Sequence, residues 1–280
     1  MKWERKTAAI VTAVFAISLA SSILFSFGMI NLNVYNVKVL GAQTYTVQPY
    51  VELAYILVSL LLVTAAMLLM IRRNMSKLIS GLFAFISFFV LIEFYSVFFF
   101  SFVDYIGQYV GLIALVAAAL TVVYYFKYAG SIARNVINVF IFITISAVMA
   151  AALGPYPSLI LIGVIAVYDY ISVFITKHML TLAKGLKGKG FLAGLTFMAR
   201  STKRVGAMLG GGDIVFPAIL VNAMFFEYSA LAGILALIAA VLGLSLIIFF
   251  GKKGKVYPAM AVIGPLQILF FGAYALAVIL

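Results

Sequence analysis

Long apolar stretches, separated by short polar turns, occupy the chain from residue 8 to its last residue. Each stretch has about the 20 residues that an α-helix needs to cross the hydrocarbon core of a bilayer. None shows the alternating pattern of a membrane β-barrel strand. The pattern therefore predicts an all-α membrane protein with nine transmembrane helices. The predicted helices cover residues 8–30, 52–71, 79–103, 107–126, 136–153, 157–176, 209–226, 229–251 and 257–280.

Two connections between the predicted helices are longer than a turn. Residues 31–51 are nearly neutral, whereas residues 177–208 are basic and contain several glycines. The basic loop divides the chain, so we predict an N-terminal part of six helices over 1–176 and a C-terminal part of three helices over 209–280. The glycine-rich stretch 185–194 has the composition of a flexible gate and equally that of a solvated linker.

The charges predict how the helices are oriented. The chain has 19 Lys and Arg residues and 7 Asp and Glu residues, which gives a formal net charge of +12. With nine helices and a cytoplasmic N-terminus, every basic residue except Lys38 falls at a cytoplasmic segment, as the positive-inside rule requires. We therefore expect a multi-pass protein of the cell membrane, with a cytoplasmic N-terminus and an extracytoplasmic C-terminus. The positive charge then lies on the cytoplasmic loops, and no nucleic-acid partner is expected.

Composition excludes several classes of function. Hydrophobic residues make up 66% of the chain and charged residues 9%, and the mean hydropathy is +1.25. A soluble domain has about 25% charged residues. Cysteine is absent, which excludes disulfides and thiolate metal sites, and the one histidine, His178, cannot form a multi-histidine site. We expect neither a metal nor a cofactor.

Three of the seven acids lie inside predicted helices, where a charge costs several kcal/mol and usually has a function. Asp169 precedes Lys177 by eight residues, or ~12 Å of helix, and Asp213 follows Arg204 by nine residues, or ~14 Å. Two consecutive antiparallel helices thus bring the aspartates to similar depths from the same membrane face. Glu93, near the centre of the third helix, is expected to be an interior hydrogen-bonding acid. The acids expected in water or at the membrane interface are Glu4, Glu52, Asp104 and Glu227.

Small and polar residues surround the two aspartates. Helical spacing from Asp169 reaches Ser172 and Thr176, which predicts a polar strip towards the cytoplasm. The start of the seventh helix contains Gly206, Gly210, Gly211 and Gly212. Because glycine destabilises a helix interior, we expect these residues to loosen the helix before Asp213 and to allow close approach of another backbone.

A pair of buried carboxyl groups supports two kinds of chemistry. Two aspartates a few ångströms apart in an apolar site share one proton. The ionised group can then activate water for attack on a peptide carbonyl while the protonated group stabilises the oxyanion, and either residue can be the base. The same pair suits a proton- or cation-coupled transporter or channel.

The residues around the aspartates resemble those of a known protease family. Tyr168 and Asp169, followed by Val173 and Phe174, are similar to the YD motif of presenilins and signal peptide peptidases. Residues 209–213 resemble the LGxGD motif of that family. The matching residues are Leu209, Gly210, Gly212 and Asp213, and Ile214, Val215 and Pro217 continue the resemblance to signal peptide peptidase.

A third motif stands in the ninth helix, where Pro258, Ala259 and Met260 resemble the PAL segment of the family, with methionine in place of leucine. The resemblance implies a compact, prokaryote-like intramembrane aspartyl protease. It implies that Asp169 and Asp213 are catalytic and that the other motif residues support the active site. Substrates would be transmembrane helices of membrane proteins or signal peptides. The predicted cytoplasmic N-terminus resembles presenilins, since signal peptide peptidases are inverted.

Peptide-bond hydrolysis requires a substrate helix to lose its hydrogen bonds. Addition of the substrate as an extended strand would achieve this. Backbone of the basic loop, or backbone near Pro258 that proline frees from the helical hydrogen-bond pattern, could receive such a strand.

Overall fold

The computed structural model describes residues 5–31, 49–73, 75–102, 109–176, 194–198, 205–251 and 257–279. Nine α-helices lie within these ranges, as the apolar pattern predicted, and their ends agree with the predicted ends to within a few residues. The helices are α1 Arg5–Asn31, α2 Pro49–Arg72, α3 Ser76–Phe102, α4 Val110–Lys127, α5 Ser131–Leu153, α6 Pro155–Tyr170, α7 Gly212–Glu227, α8 Ala230–Phe250 and α9 Met260–Ile279.

Eight of these helices are long and apolar enough to cross a membrane, when α6 is counted together with the π-helical turn that extends it to Ile175. The exception, α7, has 16 residues and is ~24 Å long. α7 nevertheless lies in the interior, because every residue from Pro217 to Met224 is buried and α1, α5, α6 and α8 all contact it. The Asn222 amide donates a hydrogen bond of 3.2 Å to the Ser22 hydroxyl of α1. The Gln267 amide of α9 donates one of 3.3 Å to the Pro217 carbonyl.

Two glycines allow α9 to pack closely between α6 and α8. A Cβ atom at Gly264 would lie 3.0 Å from the Ala166 side chain and 3.1 Å from the Ile162 side chain of α6. A Cβ atom at Gly243 of α8 would lie 2.8 Å from the Ile263 backbone of α9. Small residues of this kind allow helix backbones to approach each other in membranes. The two contacts fix the position of α9 relative to α6 and α8.

Replacement of Gly264 by leucine is expected to destabilise the helix bundle. The added side chain would force α6 and α9 apart, and overpacking of this kind costs about 1–3 kcal/mol. The matched control is Gly272→Leu on the same helix, because nothing lies within 4 Å of a Cβ atom at Gly272. Thermal unfolding in detergent, followed by circular dichroism, should show a lower Tm for Gly264→Leu alone. Equal Tm values for the two variants would contradict the close packing.

Two short strands precede α7 and form an antiparallel hairpin: β1 spans Gly194–Met198 and β2 spans Val205–Gly210. Gly194 pairs with Gly210 and Leu195 with Leu209. The prediction that residues 177–208 form only a loop is therefore wrong for its described parts, and the expected all-α fold contains a small sheet. The proposed gate at 185–194 lies outside the described residues except for Gly194, which belongs to β1.

Candidate active site

Asp169 lies in the last turn of α6, and its carboxyl group is held by the start of α9. The side chain is buried, and Oδ2 accepts a hydrogen bond of 3.0 Å from the backbone N–H of Met260. Met260 is the first residue of α9, so its N–H has no partner within its own helix. The positive end of the helix dipole also favours a carboxylate at this place. Asp169 therefore caps a helix to which it does not belong.

Asp213 lies in the first turn of α7, directly after the hairpin. Its Oδ2 accepts a hydrogen bond of 3.2 Å from the backbone N–H of Gly210, the last residue of β2. The carboxyl group thus bridges the end of the strand and the start of the helix. A Cβ atom at Gly210 would lie 3.0 Å from the same Oδ2 atom. The small residue at position 210 therefore makes room for the carboxyl group of Asp213.

The fold brings the two aspartates together, because their carboxyl groups are close enough for the charges to interact. Each group accepts a hydrogen bond from a backbone N–H through Oδ2, and the backbone of Ala261 also stabilises the Asp169 carboxylate. Two neighbouring acids can act as acid and base in the same reaction.

The PAL-like segment contributes backbone groups to this site. Pro258 and Ala259 are buried and lead into α9, where the Ala259 carbonyl accepts hydrogen bonds of 3.1 Å from Val262 and 3.0 Å from Ile263. The Met260 side chain is 2% exposed and belongs to the apolar core, while its N–H reaches Asp169. Methionine in place of leucine leaves this hydrogen bond unchanged, since the donor is backbone.

The other motif residues contact the surroundings of the two carboxyl groups. The Tyr168 hydroxyl donates a hydrogen bond of 3.4 Å to Thr64 of α2. Leu209 is buried in β2 opposite Leu195. Gly212 begins α7, where a Cβ atom would lie 3.2 Å from the Phe216 ring. These residues pack the elements that carry the aspartates.

The expectation that the glycines loosen a helix is wrong. They do not loosen the interior of a helix, because Gly206 and Gly210 belong to β2 and Gly211 precedes the first helical residue, Gly212. The chain changes from an extended to a helical conformation here. Asp213 therefore stands in the first turn of α7, whereas the predicted depth had assumed a helical rise over the nine residues from Arg204 to Asp213.

The polar strip below Asp169 also differs from the prediction. The Ser172 hydroxyl donates to the backbone carbonyl of Asp169 at 2.9 Å. Residues Ile171–Ile175 form a π-helical turn, in which the Thr176 N–H donates to the Ile171 carbonyl at 2.9 Å. This turn moves Thr176 out of α-helical register with Asp169. Single π-turns are frequent at functional sites.

Two acids outside the pair are partly enclosed. Glu93 is half-buried in α3, and no described residue hydrogen-bonds its carboxyl group, contrary to expectation. The Oε2 atom of Glu52, which was expected in water or at the membrane interface, is buried and lacks a hydrogen-bond partner among the described residues. Across the same residues, no group of three or more His, Cys, Asp and Glu side chains could hold a metal ion.

Two asparagines of α5 were missed by the sequence reasoning. Asn135 and Asn138 hydrogen-bond the backbone of β1, at Thr196 and Gly194. The available signal was two amide side chains three residues apart, at the start of an otherwise apolar helix, where polar side chains are expensive without partners.

Comparison with known proteins agrees with the fold. The family model described as "Signal-peptide peptidase, presenilin aspartyl protease" matches residues 10–278. No curated protein matches the chain. A solved presenilin family intramembrane aspartate protease in space group C222 is similar at 20% identity, with a TM-score of 0.67 over 96% of this chain and 99% of that chain. A structure of such a protease in space group P2 has 21% identity and a TM-score of 0.61, over 93% of this chain and 96% of that chain.

Proposed function

Because the chain belongs to the family of signal-peptide peptidases and presenilin aspartyl proteases, we propose that Asp169 and Asp213 form its catalytic pair. The chain is a multi-pass membrane protein and an intramembrane aspartyl protease that hydrolyses peptide bonds in transmembrane segments. The transporter alternative has no support from these relatives. The observation that carries the residue assignment is the convergence of both carboxyl groups, which accept backbone N–H donors at the start of α9 and at the end of β2.

The reaction follows from a pair that holds one proton. The ionised carboxylate removes a proton from water, and the water oxygen attacks the peptide carbonyl carbon. The protonated carboxyl group gives its proton to the carbonyl oxygen, which forms a tetrahedral diol. When the C–N bond breaks, the nitrogen takes the proton of the protonated carboxyl group, one diol hydroxyl gives its proton to the other carboxylate, and a new carboxyl group and a new amine leave. The pair ends with one proton, as it began.

The hairpin supports entry of the substrate as an extended strand. β2 leads directly to Gly210, whose N–H holds Asp213. Strand addition opens a substrate helix, because substrate backbone groups exchange their helical hydrogen bonds for hydrogen bonds to the sheet. The scissile carbonyl would then lie next to the aspartate that follows β2. The sheet supports the loop-backbone version of strand addition more directly than the version at Pro258.

Orientation and location remain part of the proposal. The distribution of Lys and Arg supports a cytoplasmic N-terminus and an extracytoplasmic C-terminus in the cell membrane. The end of α6 and the hairpin would then face the cytoplasmic side. This orientation favours substrates whose own N-termini lie outside the cell, since these cross the membrane in the direction typical of presenilin substrates.

A cleavage assay tests the function directly. Purified protein in detergent is incubated with a single-span substrate, and the products are identified by mass spectrometry. Cleavage within the apolar stretch is expected, with one oxygen from H₂¹⁸O in the new carboxyl group. A peptide mimic with a hydroxyl group in place of the scissile amide should inhibit it, because it resembles the tetrahedral intermediate. Products that end only in the polar flanks would contradict intramembrane cleavage.

A further inference from the structure

The edge of β1 that faces α5 is closed by side chains. Asn135 Nδ2 donates a hydrogen bond of 2.7 Å to the carbonyl of Thr196, and Asn135 Oδ1 accepts one of 3.0 Å from the N–H of Thr196. Asn138 Nδ2 donates a third hydrogen bond, of 2.9 Å, to the carbonyl of Gly194. Thr196 thus has both backbone groups satisfied by one side-chain amide. A residue on a neighbouring strand pairs in the same way.

This arrangement requires a side-chain amide. A side-chain amide has both a donor and an acceptor in one plane, as the peptide group has, whereas an apolar, hydroxyl or carboxylate side chain cannot supply this combination. Asn138 is buried, so loss of its partner would leave a polar group unsatisfied in an apolar environment. The two residues lie three positions apart and therefore on one face of α5. They bind alternate residues of β1, which point towards the same edge.

Strand pairing links the contacts with α5 to Asp213. Gly194, which Asn138 holds, pairs with Gly210 across the hairpin. Gly210 in turn donates to Asp213. A Cβ atom at Gly194 would collide with the Leu209 carbonyl, so the two strands leave no room for adjustment here. A shift of β1 along α5 would therefore move the N–H that holds Asp213.

Closure of the β1 edge also decides where another strand can pair. In an antiparallel pair, successive residues direct their backbone groups to opposite edges. The outward edge of β2 includes Met208, which is 48% exposed. No described residue hydrogen-bonds its N–H or carbonyl. The outer edge of β2 is thus the edge that remains for a third strand in the described hairpin.

We propose that Asn135 and Asn138 are positioning residues that dock the hairpin onto α5, set the Gly210–Asp213 hydrogen bond and direct the substrate strand to the outer edge of β2. The proposal rests on the catalytic role proposed for Asp213. It assigns to α5 a part in catalysis, although neither asparagine touches the reacting atoms. The docking itself does not depend on any assumption about cleavage.

Asn135→Leu tests the proposal. The variant has an apolar side chain of similar size and loses both hydrogen bonds to the backbone of Thr196. We expect kcat to fall about tenfold or more, and cleavage to spread to neighbouring peptide bonds because the strand register is less fixed. The matched control is Thr144→Val. Thr144 also belongs to α5 and is buried there, but its hydroxyl donates to the Phe140 carbonyl of its own helix. Thr144→Val should retain the kcat and cleavage position of the unaltered protein.

Hydrogen exchange separates docking from catalysis. Amide protons of β1 and β2 should exchange faster in Asn135→Leu than in Thr144→Val, whether or not either protein cleaves a substrate. Unchanged exchange would overturn the docking role. Faster exchange with unchanged kcat and cleavage position would overturn the positioning role. An inactive parent protein with the expected exchange would overturn the proposed catalytic pair and leave the docking intact.

A disulfide provides a rescue that a general loss of structure would not show. The chain has no cysteine, so Asn135→Cys with Thr196→Cys introduces the only possible pair. The Thr196 hydroxyl lies 3.5 Å from Asn135 Oδ1, so the two side chains face each other. The reduced protein should resemble Asn135→Leu, and oxidation should recover most of the lost kcat. A bridged protein that stays impaired would count against the proposal.

Discussion

Asp169→Asn and Asp213→Asn are each expected to lower kcat/KM for intramembrane cleavage by at least about 1,000-fold, within the range known for general acid–base groups. The amide can accept the hydrogen bond that each Oδ2 receives. It can neither remove a proton from water nor return one. Neither variant should unfold, because the replacement has the same shape and removes a buried charge. Quantitative mass spectrometry of the products measures the loss.

The double variant distinguishes a catalytic pair from two independent acids. Residues that act as a unit show strongly non-additive losses. Asp169→Asn combined with Asp213→Asn should therefore be about as inactive as either single variant. Glu93→Gln is a suitable control, since Glu93 is a half-buried acid within a helix that lies outside the pair. The Glu93→Gln protein should keep the activity of the unaltered protein. Substantial cleavage by either single aspartate variant would exclude that residue from the pair.

The number of helices and the identity of the paired acids could be predicted because both depend on local features of the sequence. A bilayer requires about 20 apolar residues for each crossing, and the chain supplies nine such stretches. An ionisable side chain in such a stretch is costly, which drew attention to Asp169 and Asp213. Their convergence agrees with the prediction. Its geometric basis differs, because a helical rise had been assumed for residues that form β2.

The hairpin could not be recognised because its alternating pattern of buried and exposed side chains is short. In β1, the buried side chains of Leu195 and Phe197 flank Thr196, and in β2 those of Ala207 and Leu209 flank Met208. This alternation is typical of a strand, but it lasts only five or six residues. In the middle of an apolar sequence, a short alternating segment cannot be distinguished from the start of a helix.

The backbone donors of the site are also invisible in sequence. Met260 contributes its N–H because α9 begins there, and Gly210 does so because β2 ends there. Any residue type except proline has the same group. The family motifs include these two positions. The physical reason is that a helix starts at Met260 and a strand ends at Gly210, which leaves each N–H free to bind an aspartate. The asparagines of α5 could be noticed as polar residues, but their partners in β1 could be identified only after the hairpin was known.

Met260→Pro is expected to lower kcat about 10- to 150-fold more than Met260→Ala does. Proline lacks the N–H that Asp169 Oδ2 accepts at 3.0 Å. A hydrogen bond to a charged group contributes about 1.5–3 kcal/mol, which corresponds to that range of rates. Proline is favoured at the first position of a helix, where an N–H has no partner within the helix. The substitution should therefore remove the donor without disrupting α9.

Two further variants separate the effect of losing the Met260 N–H from the effect of losing the Met260 side chain. Met260 is 2% exposed, so Met260→Ala should lower stability by about 2–5 kcal/mol through the cavity that it leaves, while it keeps the N–H and most of kcat. Met260→Leu keeps both the N–H and the volume and should match the unaltered protein in Tm and kcat. Since alanine and proline both remove the methionine side chain, the difference in their kcat values reports the N–H alone. Equal kcat values for Met260→Pro and Met260→Ala would show that Asp169 does not depend on this donor.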